Sequence, residues 1–254
     1  MSGARPVTLI TGASAGLGAE FARQCAARGD EVVLVARRAD RLEALAAEVG
    51  NAHIIVSDLS ESHAPAGVVA DVIARGLWVR TLINNAGFGL KGQFDQLPLS
   101  RQLEMIDLNV RALAYFSHAV IKDMVRNGGG AILNVASTAA FQPGPKMAVY
   151  FATKAFVLSL TEALHEELKR HGIKVSGLCP GPTRTEFGAV AGFGDGGPFD
   201  RIAADAAGVV RAGLNGLDRN RAVVIPGVLN TVAAVSTRFV PRMLVRKIAG
   251  AIKY

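Results

Sequence analysis

The strongest constraint on how this chain can fold is an alternation. Short, apolar, β-branched runs recur along its 254 residues, each followed by a longer stretch with helical spacing. The runs lie at 7–10, 31–36, 54–57, 81–84, 131–137, 175–179 and 222–225. They are mostly continuous in hydrophobicity, as strands buried on both faces must be. Helical spacing follows at 16–28, 40–48, 64–75, 99–126, 147–171 and 201–216, and a last amphipathic segment covers 229–252, where Pro241 should break or kink it. Repeated strand–helix pairs with right-handed crossovers lead to a parallel sheet covered on both sides. The expectation is an α/β, doubly wound parallel sheet of about seven strands. The length suits one large domain, 1–254, rather than two.

The first strand runs into Thr11-Gly12-Ala13-Ser14-Ala15-Gly16-Leu17-Gly18, and a helix then begins. Glycines at this turn let the chain reverse sharply and bring its backbone close to a pyrophosphate. The helix N-terminus adds free N–H groups and a favourable dipole. This makes the expected sheet Rossmann-type. About 20 residues past the glycines, where an acid would bond the ribose of NAD, stand Ala36, Arg37 and Arg38. A guanidinium pairs with a 2′-phosphate in two parallel bonds, so the cofactor expected is NADP(H), with NAD(H) as the alternative. The other reading of Arg37, Arg38 and Arg41 is a solvated start of a helix.

Asp58 and Leu59 follow the third strand, within reach of an adenine, and the fourth strand runs into Asn84-Asn85-Ala86-Gly87. Small residues there allow close approach of a ligand or of another strand. Asn109, flanked by Leu108 and Val110, must find partners or carry a cost, and the other reading of it is the cap of a local backbone kink. Ser137 ends the fifth strand, and Tyr150 and Lys154 share one helix face at i and i+4. A nearby ammonium favours tyrosinate, so Lys154 is expected to lower the Tyr150 pKa from about 10 toward the working pH. Tyr150 would then be a usable general acid and base. Alone, such a pair reads more readily as a helix surface contact.

Composition excludes several classes. Half the residues are hydrophobic and 19% charged, which is globular rather than disordered. Cys25 and Cys179 form no CxxC or Cys/His cluster, so neither a disulfide framework nor a zinc site is expected, and a reducing, cytoplasmic setting is the default. The first residues lack a signal-peptide pattern, and no apolar run reaches the roughly 18 residues of a membrane span. The net charge of +7 is local. Arg219, Arg221, Arg238, Arg242, Arg246, Lys247 and Lys253 face no acid over 219–254, and removing those seven from 28 bases leaves 21 against 21 acids.

Taken in order, TGASAGLG, Asp58, NNAG, Asn109, Ser137, YFATK and PGPTRTEF (180–187) resemble the short-chain dehydrogenase/reductase family, in its single-domain branch of about 250 residues. The likeness runs from about residue 6 to 230. The resemblance implies that Gly12, Gly16 and Gly18 hold a pyrophosphate with Ser14 and Leu17 beside them. Arg37 would read the 2′-phosphate, and Asp58 and Leu59 would meet the adenine. Asn85, Ala86 and Gly87 would line the cofactor groove. Tyr150 would exchange the proton, Lys154 would bond the nicotinamide ribose and tune Tyr150, and Ser137 would polarise the substrate oxygen. Asn109 would hold a water that continues the proton relay. Pro180, Gly181 and Thr185 would embrace the nicotinamide end, and the loop from about 186 to 205 would close over substrate. One departure is Ala15, where many NADP-dependent relatives carry a base, so cofactor choice rests mainly on Arg37.

The expected substrate lining is Phe88, Leu90, Ala139, Phe141, Met147, Phe187 and Phe193, with Lys91, Lys146 and Arg184 as the candidate cations. This points to a hydrophobic ketone or secondary alcohol, and a 3-oxoacyl thioester is the alternative. A non-catalytic NADP-binding regulatory protein would be marked by loss of Tyr150 or Lys154. The resemblance also implies a homodimer or homotetramer built on 99–126 and 147–171. No nucleic-acid reading motif appears. The basic segment 229–254 is expected to pack on the substrate loop or a partner subunit. Peripheral membrane contact through Leu229, Val232, Phe239, Val240, Met243 and Leu244 beside Arg238, Arg242 and Arg246 is the alternative.

Overall fold

The structure, a computed structural model, describes residues 3–192 and 203–251. Its strands are β1 (Arg5–Thr11), β2 (Val32–Ala36), β3 (Ala52–Val56), β4 (Leu77–Asn84), β5 (Gly130–Val135), β6 (Ile173–Leu178) and β7 (Val223–Val224). Side chains alternate across each strand, so one strand feeds two cores. Val7 and Leu9 of β1 join Val33 and Val35 of β2 on one face, while Ile10 joins Leu34 on the other. All neighbours pair in parallel, in the order β3-β2-β1-β4-β5-β6-β7. The doubly wound Rossmann-type sheet expected from the sequence is the sheet observed.

The helices are α1 (Gly16–Ala27), α2 (Ala39–Val49), α3 (Ala64–Ala74), α4 (Leu99–Ile106), α5 (Leu113–Arg126), α6 (Ala148–Leu168), α7 (Phe187–Ala191), α8 (Ala206–Asp218), α9 (Val228–Ser236) and α10 (Arg242–Ala251). Phe21 of α1, Leu42 of α2 and Leu214 of α8 close one core. Val68 of α3 and Phe116 and Met124 of α5 close the other. Phe21 and Phe116 are almost without exposure, and burying each contributes about 2 kcal/mol.

Several elements depart from the sequence expectation for local reasons. β4 begins at Leu77 rather than 81, because Leu77 and Val79 are buried in alternation with the less buried Trp78 and Arg80. β5 stops at Val135, because Ser137 caps a 3-10 turn, Thr138–Phe141, by accepting from the Ala139 N–H. α8 starts at Ala206, where the Asp205 carboxylate accepts from the Gly208 N–H, a standard N-cap. The helix expected over 99–126 widens into a π-helical turn, Asp107–Ala112, centred on Asn109. The final segment breaks at Pro241 as expected, giving α9 and α10. The irregular stretch 181–198 contains α7, whose Phe187, Val190 and Ala191 recur at helical spacing. Residues 193–202 lie outside the described residues, and Phe193 with them.

Candidate active site

The strand order reverses between β1 and β4, and their crossovers part at the carboxyl ends. Open α/β sheets leave their ligand crevice at such a point. A cleft of about 810 Å³ opens there. Its floor is the glycine turn. Gly12 and Gly16 hold φ of +67° and +53°, which a side chain would strain. A Cβ on Gly12 would sit 2.8 Å from the Ala86 Cα, and one on Gly18 would sit 2.1 Å from the Gly12 carbonyl oxygen. The first turn of α1 has neither a side-chain cap nor an acid, so its N–H groups remain free for an anion. A cradle that any Cβ would fill, beneath a free helix N-terminus, fits a dinucleotide pyrophosphate.

Asn85 supports this turn from beneath. Its Nδ2 donates to the carbonyls of Thr11 (3.0 Å) and Gly12 (3.2 Å), while Thr11 Oγ1 accepts from the N–H groups of Asn85 and Ala86. Asn84 points away from the cleft. It donates to Asn134 Oδ1 (2.8 Å) and Ser117 Oγ (3.1 Å), and Asn134 donates on to Thr161, so a buried polar chain ties β4, β5, α5 and α6.

At the far end of the cleft, Arg37 is largely exposed and donates to Asp58 Oδ2 (3.4 Å). Burial acts to raise the Asp58 pKa, but hydrogen bonds from Ser60 and the Arg37 charge outweigh it and hold the carboxyl below its usual range. Arg38 turns inward. Its Nε and Nη2 donate to Ser14 Oγ at 3.2 and 3.1 Å, and its Nη1 donates to Glu186 Oε2 at 2.9 Å. Arg41 pairs with the other oxygen of Glu186. Hydrogen bonds from Arg41 and then Arg38 keep the Glu186 carboxyl below its usual range. The chain carrying Glu186 thus crosses over the glycine turn, with Thr185 packed against Gly16. Its base is fixed on both sides, since Arg184 donates to the Ala204 carbonyl and Ala204 to that of Pro182.

The opposite end carries the titratable group. Tyr150, Thr153 and Lys154 share the buried face of α6. Lys154 Nζ donates to the Val135 carbonyl (2.8 Å) and lies 5.9 Å from the Tyr150 ring centroid. Burial pushes the Tyr150 phenol up to about 12, and a hydrogen bond with the Ser137 hydroxyl pulls it the other way. Burial also pushes Lys154 down to about 8. The sequence led to the opposite direction for Tyr150. Desolvation of the phenolate dominates in this cleft, and the phenol therefore keeps its proton at neutral pH. Asn109 lies behind this group. Its Nδ2 donates to the Phe88 carbonyl (2.9 Å) and Thr153 Oγ1 (3.1 Å), and its Oδ1 accepts from the Phe88 N–H (3.1 Å). The π-helical turn is where this side chain reaches across to the loop after β4, as such turns often do beside functional sites.

The buried ammonium has a consequence for stability. Its pKa is lowered from 10.5 to about 8, so the unfolded chain holds the proton more tightly. The cost is therefore full below about pH 8 and fades as pH rises toward 10.5. Lys154→Met is expected to raise the thermal midpoint by a few degrees at pH 7, about 2 kcal/mol after loss of the Val135 bond. Melting curves at pH 7 and pH 10 check this. The gain should shrink at pH 10, and an unchanged or lower midpoint at pH 7 counts against a charged, buried Lys154.

Phe88, Ala139, Met147 and Phe187 line the cleft beside Tyr150, joined by Leu108, Phe151 and Val190, which the sequence reading did not single out. Leu90 packs behind them, and Phe141 lies against a second cavity instead. Of the candidate cations only Arg184 lines the cleft. The carbonyl of Ala191 accepts from the Lys91 N–H and that of Lys146 from the Gly92 N–H, which ties α7 and residues 144–147 around this end.

Gly12, Ser14, Gly16, Leu17, Arg37, Asp58, Leu59, Asn85, Ala86, Gly87, Ser137, Tyr150, Lys154, Pro180, Gly181 and Thr185 all line this one cleft. Gly18 and Asn109 do not. Gly18 is a packing glycine beneath the turn, and Asn109 is a buried strut. Glu186, Ser57, Thr138, Gln142 and Thr183 are polar lining residues that the sequence did not single out. The doublet of arginines was visible in the sequence, but which of the two turns inward depends on the cap geometry of α2.

A family model described as short chain dehydrogenase matches residues 6–192. Sulfoacetaldehyde reductase 2 from Chromohalobacter salexigens is 36% identical over 204 residues, 78% of this chain and 81% of that protein. A solved short-chain dehydrogenase from Sphingobium yanoikuyae, in complex with NADPH, is 36% identical with a TM-score of 0.83 and covers 98% of both chains. The bulky-bulky ketone specific alcohol dehydrogenase from Comamonas testosteroni is 31% identical with a TM-score of 0.78, covering 98% of this chain and 96% of that one.

Proposed function

The chain belongs to the short-chain dehydrogenase family, and we propose that within it this protein is an NADP(H)-dependent oxidoreductase that interconverts a hydrophobic ketone and its secondary alcohol. The observation that carries the reading is the convergence of Ser137, Tyr150 and Lys154 on an apolar pocket at one end of a dinucleotide-sized cleft. The nicotinamide, when bound, supplies or accepts the hydride. Gly12, Gly16 and the free N–H groups of α1 hold the pyrophosphate. Arg37 and Arg38 flank the 2′-phosphate. Pro180, Gly181 and Thr185 sit against the nicotinamide end.

Tyr150 enters reduction in its protonated form and hands the phenolic proton to the carbonyl oxygen as negative charge develops there. Ser137 donates a second hydrogen bond to that oxygen and orients it. Lys154, with one N–H on Val135, directs the rest of its ammonium toward the cofactor ribose and favours the phenolate that Tyr150 becomes. Asn109 fixes Phe88 and Thr153 and so holds α6 in register with the floor of the cleft. Alcohol oxidation runs the same path backwards and needs Tyr150 as acceptor.

The substrate class follows from the lining. Phe88, Leu108, Met147, Phe151, Phe187 and Val190 offer aromatic and aliphatic surface beside the phenol. The relative that acts on sulfoacetaldehyde would need a cation for the sulfonate, and among the described residues Arg184 is the only basic side chain of the lining apart from Arg37, Arg38 and Lys154. A bulky, uncharged ketone fits better. The protein is further proposed to work in the cytoplasm as a homodimer or homotetramer.

Titration with NADPH and with NADH, followed by reduced-nicotinamide fluorescence, tests cofactor choice. NADPH should bind at least tenfold more tightly, and Arg37→Ala/Arg38→Ala together should remove most of that difference while leaving NADH affinity within about twofold. A preference for NADH would overturn the arginine argument. Binding of neither would overturn the enzyme reading.

A further inference from the structure

Among the described residues, the arginines up to Arg126 differ from those that follow, since Arg170, Arg184, Arg211 and the arginines from 219 onward make no ion pair with a carboxylate. Every arginine from Arg5 to Arg126 makes an ion pair with a carboxylate. Among the described residues, Arg219, Arg221, Arg238, Arg242, Arg246 and Lys247 make none, and the sequence from 219 onward has no acid to offer. The same segment carries the most exposed large apolar side chains of the fold. Leu229, Phe239 and Val228 are 85%, 82% and 79% exposed, and Val232, Met243 and Ile248 are exposed as well. Elsewhere isolated apolar residues on a surface need no explanation. A run of them through two consecutive helices, interleaved with unneutralised cations, does.

The placement of the segment adds to this. Asn230 of α9 packs against Gly181, so α9 sits over the nicotinamide end of the cleft. Gly250 of α10 packs against Pro145, in the stretch that closes the substrate end. A second cavity of about 610 Å³ opens on this side, with Arg219, Arg221 and Arg238 among its lining and Ile225 and Val235 on its walls. A basic, apolar-walled recess beside an exposed apolar ridge has the chemistry of a phosphate headgroup above acyl chains.

We propose that α9 and α10 form a docking face for an anionic lipid surface, set beside the mouth of the cleft. The ridge of Leu229, Val232, Phe239 and Met243 enters the interface between headgroups and chains. Arg219, Arg221, Arg238, Arg242 and Arg246 meet the acidic headgroups. Binding is peripheral, since no described helix is long and apolar enough to cross a membrane. A second copy of this chain is the weaker occupant. A two-fold contact would set this uniformly positive face against itself, and nothing in the segment could neutralise it. Docking here rests on surface chemistry alone, but with the reading of the cleft above it would also bring a membrane-dissolved ketone to the side where substrate is accepted.

The test uses the full chain and vesicles of phosphatidylcholine with and without phosphatidylserine, followed by co-sedimentation. The protein should pellet with the acidic vesicles at low salt and not with the neutral ones. Raising the salt toward 1 M, where screening acts within about 3 Å, should release it. Leu229→Glu/Phe239→Glu and, separately, Arg238→Glu/Arg242→Glu should each weaken vesicle binding at least tenfold. Both should keep the melting temperature and nicotinamide affinity of the parent, which shows that they fold. No pelleting with acidic vesicles at low salt overturns the proposal. So does pelleting that neither variant weakens. A change in oligomer size with Phe239→Glu, in sedimentation velocity, would assign the face to a second copy and overturn it too. None of these readouts depends on turnover, so failure here leaves the proposed reaction standing.

Discussion

Tyr150→Phe is expected to lower ketone reduction by roughly 10²–10⁴-fold, the usual contribution of a positioned general acid. NADPH affinity should change by no more than about threefold. The reasoning is local. Removing the hydroxyl leaves the ring, which packs at 5.3 Å from the Phe187 centroid and 6.0 Å from that of Phe151. The pocket keeps its shape, and the only polar partner released is Ser137, which still accepts from the Ala139 N–H (3.1 Å). What is lost is the proton. Because burial holds the phenol up to about 12, Tyr150 is protonated across the neutral range, and the reduction direction loses its donor outright. Steady-state turnover with a bulky ketone, paired with a fluorescence titration of NADPH, separates the two effects. Turnover within tenfold of the parent would remove Tyr150 from the proton path.

Gly18→Ala is expected to cost more than its size suggests. The added methyl would sit 2.1 Å from the Gly12 carbonyl oxygen and 2.6 Å from Asn85 Nδ2. Neither is the loose end of a flexible chain. Gly12 is held by its own positive φ, and Asn85 is fixed by its bonds to Thr11 and Gly12. Relief therefore requires α1 to move away from the turn, which withdraws the N–H groups that face the cleft. Overpacking of this kind costs about 3 kcal/mol, a fall in melting temperature of roughly 6–12 °C for a chain of this size. NADPH affinity should fall by more than about a hundredfold, because the pyrophosphate loses its oriented donors together with its space. Calorimetry and the same titration check both numbers. Gly67, in α3, has nothing within 4 Å of a built Cβ, so Gly67→Ala is the matched control: it should leave NADPH affinity unchanged and, by removing a glycine from a helix interior, stabilise the fold by about 1 kcal/mol rather than cost it.

The contrast between Gly18 and Gly16 shows what could be read from the sequence. The spacing of Gly12, Gly16 and Gly18 at the first strand–helix turn was legible because each must yield to a backbone or a ligand. It could not tell which glycine faces the cleft and which faces the protein, since that depends on how Asn85 reaches back from β4. The sheet was legible for a stronger reason. Strands buried on both faces must be apolar along their whole length, and seven such runs leave little freedom. β4 was the exception at its start, where alternation of Leu77 and Val79 with Trp78 and Arg80 hides a half-buried strand.

The catalytic end was legible as residue types and not as energetics. Tyr150 and Lys154 at i and i+4 could be placed on one face, but the sign of the Tyr150 shift depends on burial, which only the assembled cleft supplies. Asn109 was visible as a polar residue on an apolar helix, and both readings of it, ligand and kink, were open. The structure gives it three protein bonds and a π-helical turn. The pairing of Arg38 with Glu186 was not legible, because it joins residues 148 positions apart. No local pattern marks such a contact.

The proposed chemistry is tested most directly by mixing the protein–NADPH complex with bulky uncharged ketones and following nicotinamide fluorescence and alcohol together. The prediction is one alcohol formed per NADPH consumed, with the signal abolished by Tyr150→Phe while the cofactor stays bound. Bound NADPH that persists unchanged against aromatic, steroidal and long-chain aliphatic ketones alike would contradict it.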